Sequence, residues 1–332
     1  MMNYETFKEQ VSMQLETFLP DAHRDRKIDL ATINGLNGPR DVMCFLVGSK
    51  DEPISPKVYL DELYEEYKEV QDLNAVLYCT ARDMCSALEE GREYRRIIAE
   101  DDLEENVTFQ FVNTAKNEEY LKKVPHREYH DLSIIYRVVH MQESGNVFGY
   151  PVTNAISKRK GISEGRLYDL AYANTDRIMP TSIKPMSLFV KGKHSGINLP
   201  FDLSKSAKDM GTDSLLYVVT NEWNLNGATA ILYEEHLQQL AKHLGSDFYL
   251  VPVSRHEVIA VSVERITPEM LTDMKNQIIQ TVRTMKETLS DQVYYYDSTA
   301  RQVRLGVEQP TILQSPQRPE PERKHEKKAP TR

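Results

Sequence analysis

The sequence places an arginine, a histidine and a glutamate together in one short turn. Arg255, His256 and Glu257 lie between two apolar segments, 248–253 and 258–263, whose composition predicts the strands of a hairpin. A guanidinium, an imidazole and a carboxylate on a rigid hairpin tip could bind an anion or transfer a proton. Polar turns without a ligand contain the same residue types, so both readings stay open.

A second polar segment follows Pro125 and contains His126, Arg127 and Glu128. On a helix, His126 and His130 would be spaced to share a zinc ion. The segment leads into an apolar strand, however, where residues four apart lie well separated, and no third ligand is suitably spaced. We therefore predict no metal site. His126, Arg127 and Glu128 are candidate binding residues, with a polar entry to the strand as the alternative.

Two further segments carry side chains that could have a function. Asn221 lies two residues before Trp223, the only tryptophan, and this turn could form a recognition surface or simply pack. The segment 161–165 fits the G-x-S-x-G pattern of a nucleophilic serine, but basic residues precede it where an apolar strand is needed. Ser163 is better placed to cap the following helix, so we predict no catalytic serine.

The sequence lacks the motifs of the common enzyme and cofactor families. It has no P-loop, no G-x-G-x-x-G after a strand, no H-E-x-x-H and no paired Cys-x-x-Cys. It also lacks the basic, aromatic-rich face of RNA-binding modules. We therefore expect no cofactor, and we assign no residue as catalytic.

The charge of the chain argues against nucleic acid and membranes as partners. The 332 residues include 41 basic and 50 acidic side chains, a net charge of −9. Residues 314–332 hold six basic and three acidic side chains, which leaves 35 basic and 47 acidic in the remainder, a net charge of −12. Such a body would repel DNA and anionic membranes. Nucleic-acid binding would have to use the basic, proline-rich tail at 310–332, which we expect to be disordered.

The start of the chain and its cysteines predict a cytoplasmic protein. The first residues lack the basic and apolar regions of a signal peptide, and no run approaches the roughly 18 apolar residues of a membrane span. Cys44, Cys79 and Cys85 are an odd number without the spacing of a disulfide framework. Reduced thiols in a reducing compartment fit this pattern.

The order of turns and apolar periodicities predicts an α+β fold, with antiparallel, hairpin-rich sheets packed against helices. Hairpins are expected within 27–47, 131–153, 248–263 and 293–305, and helices at 4–19, 166–177, 234–244 and from Thr267 onward. Residues 228–232 are expected to form a short strand, and 100–105 an acidic loop. A strand leads directly into a helix at 58–63, 150–156 and 231–237, which allows either diverged hairpin-plus-helix repeats or ordinary α+β organisation.

The length of the chain and a loss of periodicity in its middle predict two lobes. The N-terminal α+β lobe would cover 1–179 and the C-terminal α+β lobe 215–309. Between them, Pro, Gly, Ser and Lys dominate an irregular connection at 180–214. The tail at 310–332 would follow the second lobe.

Several segments resemble a family of proteins without an assigned function. These segments are 124–128, 131–138, 216–221, 232–234, 244–249 and 289–294. They resemble the domain of unknown function 5688, found chiefly in gut Clostridia among the Firmicutes, and the likeness covers 3–304. A more distant likeness, to the domain of unknown function 1444 of bacilli, rests on the strand–turn–helix run and the hairpin after it. The resemblance implies a cytoplasmic bacterial protein encoded among accessory or mobile-element genes, and it transfers no catalytic residue.

Together these features predict a non-catalytic binding or interaction protein with a protein partner. A first alternative is a hydrolase or nuclease with an unfamiliar site, which would require His126 and Arg127 to converge with Arg255, His256 and Glu257. A second alternative is nucleic-acid binding through the basic tail.

Overall fold

The computed structural model describes residues 2–46, 56–100, 103–141, 147–186, 216–284 and 289–306. The predicted tail at 310–332 lies outside the described residues, as does most of the predicted connection at 180–214.

Runs of antiparallel strands are interspersed with helices along the chain, which confirms the α+β class. The helices are α1 (Tyr4–Gln14), α2 (Leu60–Val70), α3 (Leu73–Glu100), α4 (Leu103–Asn106), α5 (Glu118–Leu121), α6 (Asn154–Lys160), α7 (Glu164–Ile178), α8 (Glu234–Leu244) and α9 (Pro268–Thr284). The strands are β1 (Ile28–Gly35), β2 (Gly38–Phe45), β3 (Lys57–Tyr59), β4 (Val107–Asn113), β5 (His126–Tyr129), β6 (Leu132–Met141), β7 (Val147–Pro151), β8 (Thr181–Pro185), β9 (Leu216–Asn221), β10 (Phe248–Pro252), β11 (Val258–Ser262), β12 (Tyr294–Asp297) and β13 (Gln302–Leu305).

Local signals in the sequence fix the ends of several helices. The Ser163 side chain accepts a hydrogen bond from the Arg166 amide at the start of α7, which confirms its predicted role as a cap. Thr267 caps α9 in the same way, through the Met270 amide. Gly245 ends α8 in the left-handed region with φ of 72°, a conformation that glycine adopts without steric cost.

The strands of the described residues form three antiparallel sheets. β1, β2 and β3 form a three-stranded sheet, and a six-stranded sheet has the order β13-β12-β10-β11-β9-β8. In the four-stranded sheet, β6 pairs with β4 along one edge and with both β5 and β7 along the other. All pairings are between antiparallel neighbours, as the hairpin-rich sequence predicts.

The largest core lies between the four-stranded and six-stranded sheets. Phe109 and Tyr136 from the first sheet are buried in one cluster with Phe248 and Tyr294 from the second, together with side chains of α7 and α8. A separate cluster joins α1, α2 and α3 to the three-stranded sheet, and a third covers the other face of the six-stranded sheet with α9. The two larger sheets therefore share one hydrophobic core, although their strands come from both predicted lobes.

Three local expectations from the sequence are wrong. Residues 228–232 belong to a 3-10 helix, Gly227–Leu232, and cannot form a hairpin with β9, because both edges of β9 are already paired, with β8 and β11. The third strand-into-helix segment, at 231–237, therefore does not repeat the other two. Leu103–Asn106 is a short helix within the predicted acidic loop. Thr181–Pro185 is the edge strand β8 where an irregular backbone was expected, while the division of the chain at 180–214 stays a prediction.

Candidate functional site

A cavity of about 400 Å³ lies where elements of all three sheets meet. Its walls include the turn between β1 and β2, strands β4, β6 and β7, and the turn between β10 and β11. Three arginines, Arg40, Arg137 and Arg255, line it. The volume falls within the range of about 300–1,000 Å³ that is common for small-molecule sites. The cavity is therefore large enough for a ligand and carries positive charge on different elements.

Arg137 interrupts the apolar strand β6 and lines the cavity. Its Nη2 donates a hydrogen bond to the Gly149 carbonyl on β7, at 3.0 Å. Burial lowers the pKa of Arg137, and the positive charge of Arg255 lowers it further. The two guanidiniums are thus close enough to repel each other, although an arginine remains protonated at neutral pH.

Gly149 permits the close contact between β6 and β7 beside Arg137. A Cβ atom at this position would lie 2.8 Å from the Val138 carbonyl oxygen and 3.8 Å from the Arg137 Nη2. The first distance is too short for any residue with a side chain, so glycine lets β7 approach closely enough to accept the guanidinium hydrogen bond.

Arg255 is held by its neighbour in the turn between β10 and β11. Its Nε donates to Nε2 of His256 at 2.9 Å, which requires that this ring nitrogen carries no proton. Burial, followed by the positive charge of Arg255, lowers the pKa of His256 to about 4, although a backbone hydrogen bond with Asn224 opposes the shift. His256 is therefore neutral at pH 7 and can accept the Arg255 hydrogen bond.

The backbone of this turn is fixed by several other contacts. Thr220 on β9 donates its hydroxyl hydrogen bond to the His256 carbonyl at 2.7 Å, and Ser254 accepts one from the His256 amide at 3.0 Å. The Arg255 carbonyl accepts from the Ala228 amide of the 3-10 helix at 3.2 Å. Because β9 and the 3-10 helix both form hydrogen bonds with this turn, the backbone that carries the Arg255 side chain is held in place.

Arg40 closes another part of the cavity wall and is neutralised by carboxylates. Its guanidinium lies 3.8 Å from the centre of the Tyr59 ring and donates to Asp61 at 2.6 Å and to Glu62 at 2.8 Å. Burial acts to lower the pKa of Arg40, but the hydrogen bonds to the two carboxylates outweigh it and raise the pKa. The charge of Arg40 is therefore balanced by two carboxylates of the protein.

The structure places Arg127 on the other face of the four-stranded sheet. Arg127 pairs with Ile134, and residues 134 and 136 share the face opposite to that of Arg137. Its guanidinium forms two 3.0 Å hydrogen bonds with Glu164 and stacks 3.7 Å from the Tyr168 ring, while the Tyr136 hydroxyl donates to the same carboxylate. Arg127 is thus part of a surface ion pair and does not join Arg255 in the cavity.

The other predicted residues have separate environments. His126 and Glu128 are exposed on β5, and the His126 ring nitrogen Nδ1 lies 3.1 Å from the Val124 carbonyl. Glu257 is only 2% exposed and its backbone carbonyl accepts from Val253 and Ser254, closing the turn of Arg255. None of these three residues lines the cavity described above.

Asn221 organises the turn that leads to the cavity. Its side chain donates to the Leu225 carbonyl at 2.8 Å and accepts from the amides of Trp223 and Leu225 at 3.1 and 3.2 Å. Leu225 and Asn226 then line the cavity, while Trp223 is 41% exposed. The contacts of Asn221 are those of a residue that fixes a turn.

Two cavity residues were missed in the sequence, although a signal was present. Arg137 is the one charged residue in the largely apolar run 132–139, and Gln110 is a polar residue within the buried run 107–112. A polar side chain within a strand whose neighbours are all buried is costly unless it has a partner. Such interruptions could have been selected as candidate site residues without knowledge of the fold.

Two observations on the described residues concern metal ligands and the length of apolar helices. Within these ranges no three His, Cys, Asp or Glu side chains cluster so that they could hold a metal ion. Of the helices that the structure describes, none combines the length and the apolar character needed to cross a bilayer.

The fold and the cavity define an α+β protein with a ligand-sized, arginine-lined site between its sheets. Residues 4–298 match the model of a family of unknown function, DUF5688, and the chain belongs to this family. The resemblance seen in the sequence is therefore confirmed for this family, while the likeness to the domain of unknown function 1444 stays a prediction. No match to the chain is found among curated proteins or solved structures.

Proposed function

We propose that the protein binds a small anionic ligand in the cavity and does not transform it. The observation that carries this proposal is that Arg137 and Arg255, from two different sheets, line one cavity of about 400 Å³. Guanidinium groups offer several N–H donors in a fixed plane and recognise carboxylate and phosphate oxygens well. An anion between the two arginines would receive hydrogen bonds from both.

The electrostatics of the two arginines support the same proposal. Each guanidinium carries a full positive charge, and burial makes their mutual repulsion stronger than it would be in water. Burial is the largest cause of the lowered pKa of Arg137, and the positive charge of Arg255 acts in the same direction. A bound anion would add an attractive interaction with each guanidinium.

The acid and base groups beside the arginines favour binding over catalysis, because they already accept hydrogen bonds from the arginines. Nε2 of His256 accepts from Arg255, and Glu62 accepts from Arg40. These groups position and neutralise arginines, whereas a hydrolytic site would direct them to substrate or water.

We propose separately that the protein is cytoplasmic and has a protein partner, as the sequence leads us to expect.

The proposal is tested by titration calorimetry of the full chain with phosphate, sulfate, acetate and citrate. Arg137→Gln and Arg255→Gln should each weaken binding roughly 10- to 100-fold, because each removes a charged hydrogen-bond donor. Arg127→Gln is the matched control, because it removes the same charge from the other face of the sheet. Circular dichroism would establish that each variant is folded.

Two results would contradict anion binding in this cavity. One is that no anion in the panel binds the wild-type chain at millimolar concentration. The other is that Arg127→Gln weakens binding as much as Arg137→Gln, which would place the anion elsewhere or make the effect one of net charge.

A further inference from the structure

Gln110 is a buried polar side chain at the cavity wall. It is 2% exposed, lies in the middle of β4 and lines the cavity. On the sheet it pairs with Ile135, while Arg137 pairs with Thr108. Gln110 and Arg137 are therefore diagonal neighbours on one face, at most about 8 Å apart. A single small molecule could contact both side chains.

No hydrogen bond joins the Gln110 side chain to any other residue in the described part of the chain. A glutamine side chain has a carbonyl acceptor and two amide donors, and a buried group of this kind costs free energy when it has no partner. Asn113, which also belongs to β4, differs because it donates to the Leu289 carbonyl and accepts from the Lys116 amide. Gln110 thus offers its donors and its acceptor to the cavity.

Resting on the anion site proposed above, we propose that the ligand is a polyhydroxylated phosphomonoester such as a sugar phosphate. Its phosphate would lie between Arg137 and Arg255, and a hydroxyl of its organic part would bind Gln110. A phosphomonoester offers three acceptor oxygens to the N–H donors of the two guanidiniums, whereas a carboxylate offers two.

The organic part of the ligand follows from the size and polarity of the cavity. A water molecule occupies about 30 Å³ in the liquid, so an inorganic phosphate ion would leave much of the 400 Å³ filled with water. A hydroxyl group both donates and accepts, as the Gln110 amide does, and can satisfy it in either direction. An apolar organic part would leave Gln110 buried and without a partner.

The test uses titration calorimetry of the full chain with glucose 6-phosphate, ribose 5-phosphate, glucuronate and inorganic phosphate. At least one sugar phosphate should bind about tenfold more tightly than both glucuronate and inorganic phosphate. Gln110→Met removes the amide at nearly constant volume, and it should weaken sugar-phosphate binding about three- to tenfold. The same substitution should leave inorganic phosphate binding unchanged.

The outcomes separate this inference from the anion site itself. Equal binding of glucuronate and the sugar phosphates, still dependent on Arg137, would overturn the phosphomonoester and leave the anion site standing. Unchanged sugar-phosphate affinity in Gln110→Met would overturn the role of Gln110. If none of the four compounds binds to the wild-type chain in a way that depends on Arg137, both proposals would be overturned. If Gln110→Met does not fold, Gln110→Asn, which keeps the amide but withdraws it by one methylene, should show the same selective loss.

Discussion

A methyl group at residue 227 would enter one of the most crowded places in the described structure. The 3-10 helix that begins at Gly227 packs directly on β9 and on the turn that carries Arg255. A Cβ atom at Gly227 would lie 2.3 Å from the Thr220 hydroxyl oxygen, 2.6 Å from the His256 carbonyl oxygen and 2.8 Å from the Asn221 amide nitrogen. Two of these three atoms belong to the backbone, so a side-chain rotation alone cannot make room.

The expected cost of Gly227→Ala follows from these contacts. Overpacking of this kind costs about 1–3 kcal/mol. The Thr220 hydroxyl must also turn away, which breaks its hydrogen bond to the His256 carbonyl and costs about 1 kcal/mol more. We therefore expect Gly227→Ala to lower the free energy of unfolding by about 2–4 kcal/mol. Because the displaced atoms support Arg255, binding of anions in the cavity should weaken as well.

Urea unfolding at equilibrium, followed by circular dichroism, measures this cost. Gly165→Ala is the matched control, because it makes the same chemical change in α7 with no atom within 4 Å of the new Cβ. There the methyl group should stabilise the helix by about 0.5 kcal/mol. If the midpoint of unfolding of Gly227→Ala lies at the same urea concentration as that of the wild type, or at a higher one, the close packing of the 3-10 helix on β9 is refuted.

Two further predictions concern the titration of His256 and the structural role of Ser163. Stability should fall as the pH drops from about 6.5 to about 4, because the unfolded chain protonates His256 at its ordinary pKa while burial and Arg255 hold the folded pKa near 4. In urea unfolding, His256→Asn should lose less stability than the wild type over this pH interval. An equal loss would count against the assignment of the pH dependence to His256. Ser163→Ala should cost about 1 kcal/mol as the loss of a helix cap. It should leave ligand affinity in the cavity unchanged, and a loss of affinity in calorimetry would contradict a purely structural role.

Much of the fold could be predicted because its signals are local. The hairpin at 248–263 was recognisable from two apolar runs around a polar turn, and α8 from its amphipathic pattern and the glycine that ends it. The 3-10 helix at Gly227–Leu232 was not, since its apolar composition also suits a strand. Only the tertiary structure shows that β9 is paired on both edges, so that this segment cannot form a hairpin with it.

The candidate site was predicted in part. Arg255 and His256 were selected because they share a turn, and the structure places Arg255 at the cavity with His256 bonded to it. Arg137 and Gln110 were not selected, because each is a polar residue in a largely apolar strand and the function of such a residue depends on what faces it. Arg127 was selected for its polar neighbours, yet the pleat of the sheet directs it away from Arg137.

The sequence by itself determined the α+β class, most element positions, the family and the polar turn at Arg255. Each of these depends on the order of residues over a short span, through periodicity, capping and turn preferences. Only the tertiary structure decided that Arg137 and Arg255, 118 positions apart in the chain, line the same cavity. The reason is physical: sheet register and the packing of three sheets set which side chains meet, and neither is encoded by the neighbours of a residue along the chain.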